Sequence, residues 1–232
     1  MTGRTGRAGF AGLVTVLMAV GASALSAQRS AQDAQRTAPG APQPAPATEV
    51  AVFSGGCFWG VQAVFEHVKG VIRAESGYTG GKADDANYET VSTGRTGHAE
   101  SVRVEYDPSQ VSYQQLLDVL FSVAHDPTQL DRQGPDHGTQ YRSAIWYTSP
   151  VQRAVAVEYI ARLNRSGKLD GPVVTTVKPL DGFYPAEGYH QDYYVKHPDS
   201  AYIIYNDVPK VEALKREFAG LWRENAVLSR GS

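Results

Sequence analysis

The 232-residue sequence contains one cysteine, Cys57. It therefore holds no internal disulfide, no Cys-x-x-Cys redox pair and no multi-cysteine zinc site. Sulfur chemistry, if present, rests on a lone thiol. Charge of either sign is not in surplus, with 22 Lys and Arg against 24 Asp and Glu. A general nucleic-acid binder needs a basic excess, so that class is excluded. No HExxH pattern occurs. His98-Ala99-Glu100 has the HxE spacing of zinc deaminases but lacks the PCxxC that should follow. The apolar run Ala11–Ala24 is shorter than the roughly 20 residues of a membrane span.

That run follows Arg4 and Arg7 and precedes the small residues Ala22-Ser23-Ala24 and Ser26-Ala27. Positive start, apolar middle and small-residue end are the pattern of a secretory signal peptide. Residues 1–27 are predicted to be that leader, cleaved after Ala24 or Ala27. The mature protein is then exported, periplasmic or secreted, with no stable membrane insertion. An uncleaved anchor is the alternative, and the shortness of the run counts against it. Residues 28–48 hold six Ala and four Pro but no Val, Ile, Leu or aromatic residue. Such a stretch cannot bury enough apolar surface to offset the entropy of ordering it, which predicts a disordered Ala/Pro/Gln-rich linker. The folded domain is expected over residues 49–228.

Within it, Val50, Val52 and Phe53 open a strand that stops at Ser54-Gly55-Gly56. Val61, Val64, Phe65 and Val68 then form one helical stripe, ended by Gly70. Val71–Ser76 reads as a strand and 77–97 as a long loop. Ala99–Asp107 alternates, with Val102, Val104 and Tyr106 on one face. Ser112-x-x-Gln115 reads as a capping box for a helix carrying Leu116, Leu117, Leu120, Phe121 and Ala124. A loop is expected over 125–138, a strand over 140–147, and a helix from Ser149-Pro150 to Asn164. Val173–Val177 is β-branched and reads as a strand. Asp207 and Pro209 are expected to start a last helix with Val211, Leu214, Phe218, Leu221 and Trp222 on one face. Strands and helices are interspersed without strict βαβ order. The predicted fold is α/β (α+β): a two-layer sandwich with a mixed, ferredoxin-like central sheet.

Cys57 lies between a strand and a helix N-terminus, in Gly55-Gly56-Cys57-Phe58-Trp59-Gly60. Amide N–H groups and the helix dipole there favour an anion, so the thiol is expected to have a lowered pKa. Phe58 and Trp59 are placed to wall an apolar pocket beside it. A buried structural cysteine is the competing reading. Strand parity puts Glu100 on the face of Val102, Val104 and Tyr106, where desolvation should raise its pKa and leave a proton to donate. If the strand starts later, Glu100 is instead a solvated loop end. Tyr78, Tyr88, Tyr141, Tyr189, Tyr193 and Tyr194 cluster in loop regions and supply phenol donors. A Cys–His hydrolase pairing stays open, because such pairing is spatial.

The motifs GCFWG at 56–60, GYTGG at 77–81, NYE at 87–89, TGHAE at 96–100, DHGTQYRS at 136–143 and YHQDYY at 189–194 are collinear. In that order they resemble the methionine-S-sulfoxide reductase A family, over residues 49 to about 205. The resemblance implies a repair enzyme that reduces methionine-S-sulfoxide in oxidised proteins or peptides, with the free amino acid a further candidate substrate. It implies Cys57 as nucleophile, Glu100 as acid, Tyr88 and Tyr141 as donors to the sulfoxide oxygen, and Asp136 as an organiser of the site. Phe58 and Trp59 would receive the substrate methyl group. Cys57 would pass through a sulfenic acid. Many family members carry further cysteines near the C-terminus that resolve it; this chain has none. No bound cofactor or metal is implied. An external thiol is required instead: a thioredoxin-like or glutaredoxin-like protein, or a small thiol. A monomer is expected. Another lone-thiol enzyme, a hydrolase or thiol peroxidase, and a non-catalytic exported binding module are the alternatives.

Overall fold

The chain divides into two units, residues 1–45 and 46–232. The computed structural model describes residues 48–229. The expected leader, 1–27, and all but the last residue of the expected linker, 28–48, lie outside the described residues.

The elements are, in order, β1 (Glu49–Ser54), α1 (Phe58–Glu66), β2 (Val71–Thr79), α2 (Tyr88–Val91), β3 (Ala99–Tyr106) and α3 (Tyr113–Val119). Next come β4 (Arg132–Gln133), β5 (Asp136–His137), β6 (Ala144–Tyr147), α4 (Pro150–Arg165), β7 (Thr176–Pro179), β8 (Tyr184–Pro185), α5 (Tyr193–Lys196) and α6 (Val208–Glu217). The main sheet runs β7-β6-β1-β3-β2-β8, with β6 and β7 parallel and the other pairs antiparallel. The inner order β6-β1-β3-β2 is the ferredoxin-like arrangement, and the parallel edge strand β7 makes the sheet mixed.

β1 is paired on both sides, by β3 and β6, and its last four residues are buried. Two covered faces explain why Ala51-Val52-Phe53 is apolar without a gap. One face meets α1 and α3: Phe53 stacks on Phe65 at 5.4 Å and on Tyr113 at 6.1 Å. On the other face Val52, Ala99, Ala144 and Trp146 lie under Leu180 and Phe183.

Several local expectations hold. Ser112 and Gln115 make both bonds of the capping box, and Ser149 caps α4 with Pro150 in its first turn. Others change. α1 stops at Glu66 rather than at Gly70, which instead turns the chain at φ +87°, where a Cβ would press on Val111. β2 continues through Gly77 to Thr79 because β3 pairs with it as far as Ala99. The rest of the expected 77–97 loop contains α2, capped by Asn87, whose side chain accepts from Thr90 N–H. The 125–138 loop contains the ribbon β4–β5. Residues 139–141 form a 3-10 turn, so the following strand begins only at Ala144. Val173 and Val174 direct their amides to Asn164 and Pro127, which delays strand pairing to Thr176. α6 is entered through a π-helical turn, Ile203–Asp207, and Asp207 does not cap it. Phe218, Leu221 and Trp222 pack beyond its end.

Candidate active site

Cys57 sits directly after the central strand β1, at the N-cap of α1, and is 8% exposed. Gly56 has φ +90°, and a Cβ there would meet the Gln133 side chain at 2.5 Å, so only glycine lets the backbone turn into the cysteine. Gln133 is itself fixed: its amide oxygen accepts from Asp126 N–H at 3.0 Å and its amide nitrogen donates to Asp126 C=O at 3.0 Å.

Glu100 lies on β3 at 3% exposure, on the buried face that its parity predicted. Its Oε2 accepts from Phe58 N–H at 2.9 Å, which ties it to the residue after Cys57. Burial, with the nearby Asp136 charge, pushes its pKa up to about 8 against the pull of the Phe58 amide. The carboxyl is thus mostly protonated at neutral pH.

The expected lowering of the Cys57 pKa is corrected. Burial first, then the charges of Glu100 and Asp207, push the thiol well above its ordinary value. A hydrogen bond from the Trp59 amide and the Lys210 charge pull the other way and are outweighed. The helix N-terminus does serve the sulfur; desolvation is the larger effect.

Tyr88 begins α2, and Tyr141 ends the 139–141 turn. Both phenols are raised, by burial first and then by the Glu100 charge, and both feel Cys57 and Asp136. They are held as O–H donors around the thiol and the carboxyl. Asp136, on β5, accepts from the Tyr202 hydroxyl.

Phe58 is 1% exposed and lies 5.1 Å from His190 and 5.8 Å from Tyr78, centroid to centroid. Trp59 stacks on Tyr193 at 3.7 Å and meets Tyr202 edge-on at 5.6 Å. Its indole N–H donates to His190 Nδ1 at 3.1 Å. Aromatic edges and faces thus form an apolar box beside the sulfur.

The box depends on residues 187–193. Gln62, buried in α1, donates to Ala74 C=O and Gln191 Oε1, and accepts from Ser76 Oγ and Asp192 N–H. Gln191 donates to Ser76 C=O and Ala186 C=O. Glu187 accepts from Tyr78 Oη and Tyr88 N–H, each at 2.8 Å. A satisfied polar network of this kind fixes one arrangement of the segment.

The site joins a thiol, a protonated carboxyl, two phenol donors and an apolar box. The model for the family described as peptide methionine sulfoxide reductase matches residues 49–221, well over half of the chain. The chain belongs to that family. It is similar to peptide methionine sulfoxide reductase MsrA 2 of Mesorhizobium japonicum, with 59% identity over 184 residues, 79% of this chain and 94% of that protein. The MsrA 2 protein of Synechocystis is 51% identical over 172 residues, 74% of this chain and 80% of that one. Among solved structures, methionine sulfoxide reductase A of Corynebacterium diphtheriae superposes with TM-score 0.58 at 38% identity, covering 67% of this chain and 77% of that one. Reduced Mxr1 of Saccharomyces cerevisiae gives 0.61 at 30% identity, covering 68% and 90%. The chain is therefore an oxidoreductase, a peptide methionine sulfoxide reductase that works with thiol reductant.

The structure gathers around Cys57 the seven residues that the resemblance named: Cys57, Phe58, Trp59, Tyr88, Glu100, Asp136 and Tyr141. Sequence reasoning missed Tyr202, Glu187, Asp207 and Lys210. One signal was available for His190: a half-buried Trp59 indole needs an acceptor, and a histidine in a tyrosine-rich motif can supply it.

Proposed function

We propose that Cys57 attacks the sulfur of methionine-S-sulfoxide while Glu100 supplies a proton to its oxygen. Tyr88 and Tyr141 donate hydrogen bonds to that oxygen as negative charge builds on it, which lowers the barrier to its departure. Asp136 keeps Tyr202 against Trp59. Phe58 and Trp59 hold the methyl group. The substrate sulfur gains two electrons and leaves as methionine; the Cys57 sulfur loses two and takes the oxygen as a sulfenic acid. A first external thiol then condenses with the sulfenic acid, releasing water and leaving a mixed disulfide. A second displaces Cys57–SH and departs as the disulfide of the two external thiols. A thioredoxin-like or glutaredoxin-like protein, or a small thiol, fills that role, because no second cysteine exists in the chain.

The observation that carries this reading is Glu100, buried, protonated and bonded to the amide next to the lone thiol. The charge pattern of residues 1–27 supports export, so the proteins repaired are those beyond the inner membrane or outside the cell. Intact mass and N-terminal sequence of the exported chain test the leader. The chemistry is tested by offering both sulfoxide epimers of a methionyl peptide, with dithiothreitol, to the enzyme and to Cys57→Ser. Loss of only the S epimer, abolished in the variant, is expected. Consumption of the R epimer, or turnover by the variant, refutes the assignment.

A further inference from the structure

Tyr141 sits on a three-residue turn, so its hydroxyl is only as well placed as the bonds that hold that turn. Two side-chain bonds lead to the chain after α2. Thr139 Oγ1 donates to Gly94 C=O at 2.8 Å, and Gln140 Nε2 donates to Ser92 C=O at 3.2 Å. Three more come from Arg142, the next residue. Its Nη1 donates to Thr139 C=O at 2.7 Å and to His98 C=O at 3.0 Å, and its Nη2 donates to Gly97 C=O at 2.8 Å. One guanidinium thus joins the Tyr141 turn to the chain entering β3, two residues before Glu100. The group lies 5.6 Å from the Trp146 ring centroid. The Trp146 indole in turn donates to Oγ of Ser54, the last residue of β1, at 2.8 Å. Gly80, with φ +95°, makes room for both: a Cβ there would stand 2.6 Å from Trp146 and 2.9 Å from Arg142 Nη2.

We propose that Arg142 positions Tyr141 for the reaction by locking its turn to the entry of the Glu100 strand. The inference rests on the reading of Tyr141 as a donor to the sulfoxide oxygen and adds the group that aims it. Glu100 needs no such help: β3 is paired on both sides, by β1 and β2, and Phe58 N–H holds the carboxyl. Tyr141 lies between β5 and β6, outside both sheets. Arginine suits the task. It presents five donors in a fixed fork and no acceptor, so carbonyls from two segments can be bound at once. A lysine ammonium has no fork and cannot fix the same geometry. The guanidinium is taken up by backbone carbonyls and acts through the neighbouring phenol. A displacement of about 1 Å in a reacting group is enough to cost about 10²-fold in rate.

Steady-state reduction of an S-sulfoxide peptide with dithiothreitol tests this in the full chain, with Arg142→Ala, Tyr141→Phe and the double variant. Arg142→Ala should lower kcat by up to about 10²-fold and change KM little, since the phenol bond matters most as charge builds on the departing oxygen. In the Tyr141→Phe background the same change should cost at least about tenfold less, because the hydroxyl it would misplace is gone. Arg142→Lys keeps the charge and the stem and should remain impaired; it takes the place of the alanine variant where that one unfolds. Losses that multiply in full, a loss confined to KM, or unchanged kcat in Arg142→Ala overturn the proposal and leave the reductase reading intact. So does a lysine variant with full turnover. Tyr141→Phe at the parent kcat sinks instead the reading of Tyr141 as donor, and the proposal falls with it.

Discussion

Glu100→Gln should cost the enzyme its activity and strengthen its fold, and the two effects come from one proton. In the folded chain the Glu100 pKa is pushed up to about 8, against an ordinary value of 4.5. Between those values the folded state holds a proton that the unfolded state has released, so stability falls as pH rises through the window. The loss is complete only above the folded value. Each unit is worth about 1.4 kcal/mol, so from pH 4.5 to pH 7 this side chain withdraws about 3 kcal/mol. Burial leaves little solvent to screen that figure. Glutamine is a shape match for the protonated carboxyl and can still accept from Phe58 N–H through its oxygen. Urea unfolding of both proteins should therefore coincide near pH 4.5 and diverge steadily, the variant gaining about 3 kcal/mol by pH 7. Reductase activity should fall by about 10²–10⁴-fold, the usual contribution of a positioned acid. A variant that is less stable at pH 7, or a gap that does not change between pH 4.5 and 8, would refute the claim that Glu100 is a desolvated, protonated group.

Gly56→Ala forces a β-carbon into Gln133 at a positive φ, and should cost about 1–3 kcal/mol in chemical denaturation together with most of the activity. Unchanged activity would show that the turn before Cys57 tolerates a shift. Trp59→Phe keeps an aromatic face against Tyr193 but removes the donor to His190, so KM for a sulfoxide peptide should rise more than kcat falls; an effect confined to kcat would move Trp59 out of substrate binding. Ser112→Ala removes the hydroxyl that accepts from Gln115 N–H in the α3 capping box, leaves the backbone N–H bond to the Gln115 side chain, and should lower stability by about 1 kcal/mol, with kcat/KM untouched. A loss of turnover at full stability would link α3 to the site.

What was legible in the sequence was local. The parity that put Glu100 among Val102, Val104 and Tyr106 needs only the two-residue repeat of a strand, and β3 obeys it. The Ser112 box and the Ser149-Pro150 start are read within four residues, and both form. The placement of Cys57 between β1 and α1 followed from two glycines and one apolar stripe. The thiol's direction of shift was misread because a helix N-terminus is visible in sequence while desolvation is not. The companions of the site were hidden for a similar reason. Tyr202 is 66 residues from the Asp136 it binds, and His190 is 131 residues from Trp59. Asp207 looked like a cap, since aspartate before a helical stripe usually is one. Instead it packs against Gly60 and pairs with Lys210, contacts that no periodicity reveals.

The thiol and the two phenols, Tyr88 and Tyr141, are mounted on parts of the molecule with different resistance to opening. Cys57 continues from β1, which has ladder partners on both sides, and it leads into α1, which is buried almost throughout. Tyr88 and Tyr141 ride on a four-residue helix and a three-residue turn, tied by side chains such as Glu187 and Gln140. Short pieces held this way open in sub-global fluctuations, whereas a central strand opens only when the whole domain does. Warming or mild denaturant should thus release the two phenols first. Over that range the enzyme would keep a nucleophile that can be alkylated or oxidised after losing the means to use it for repair.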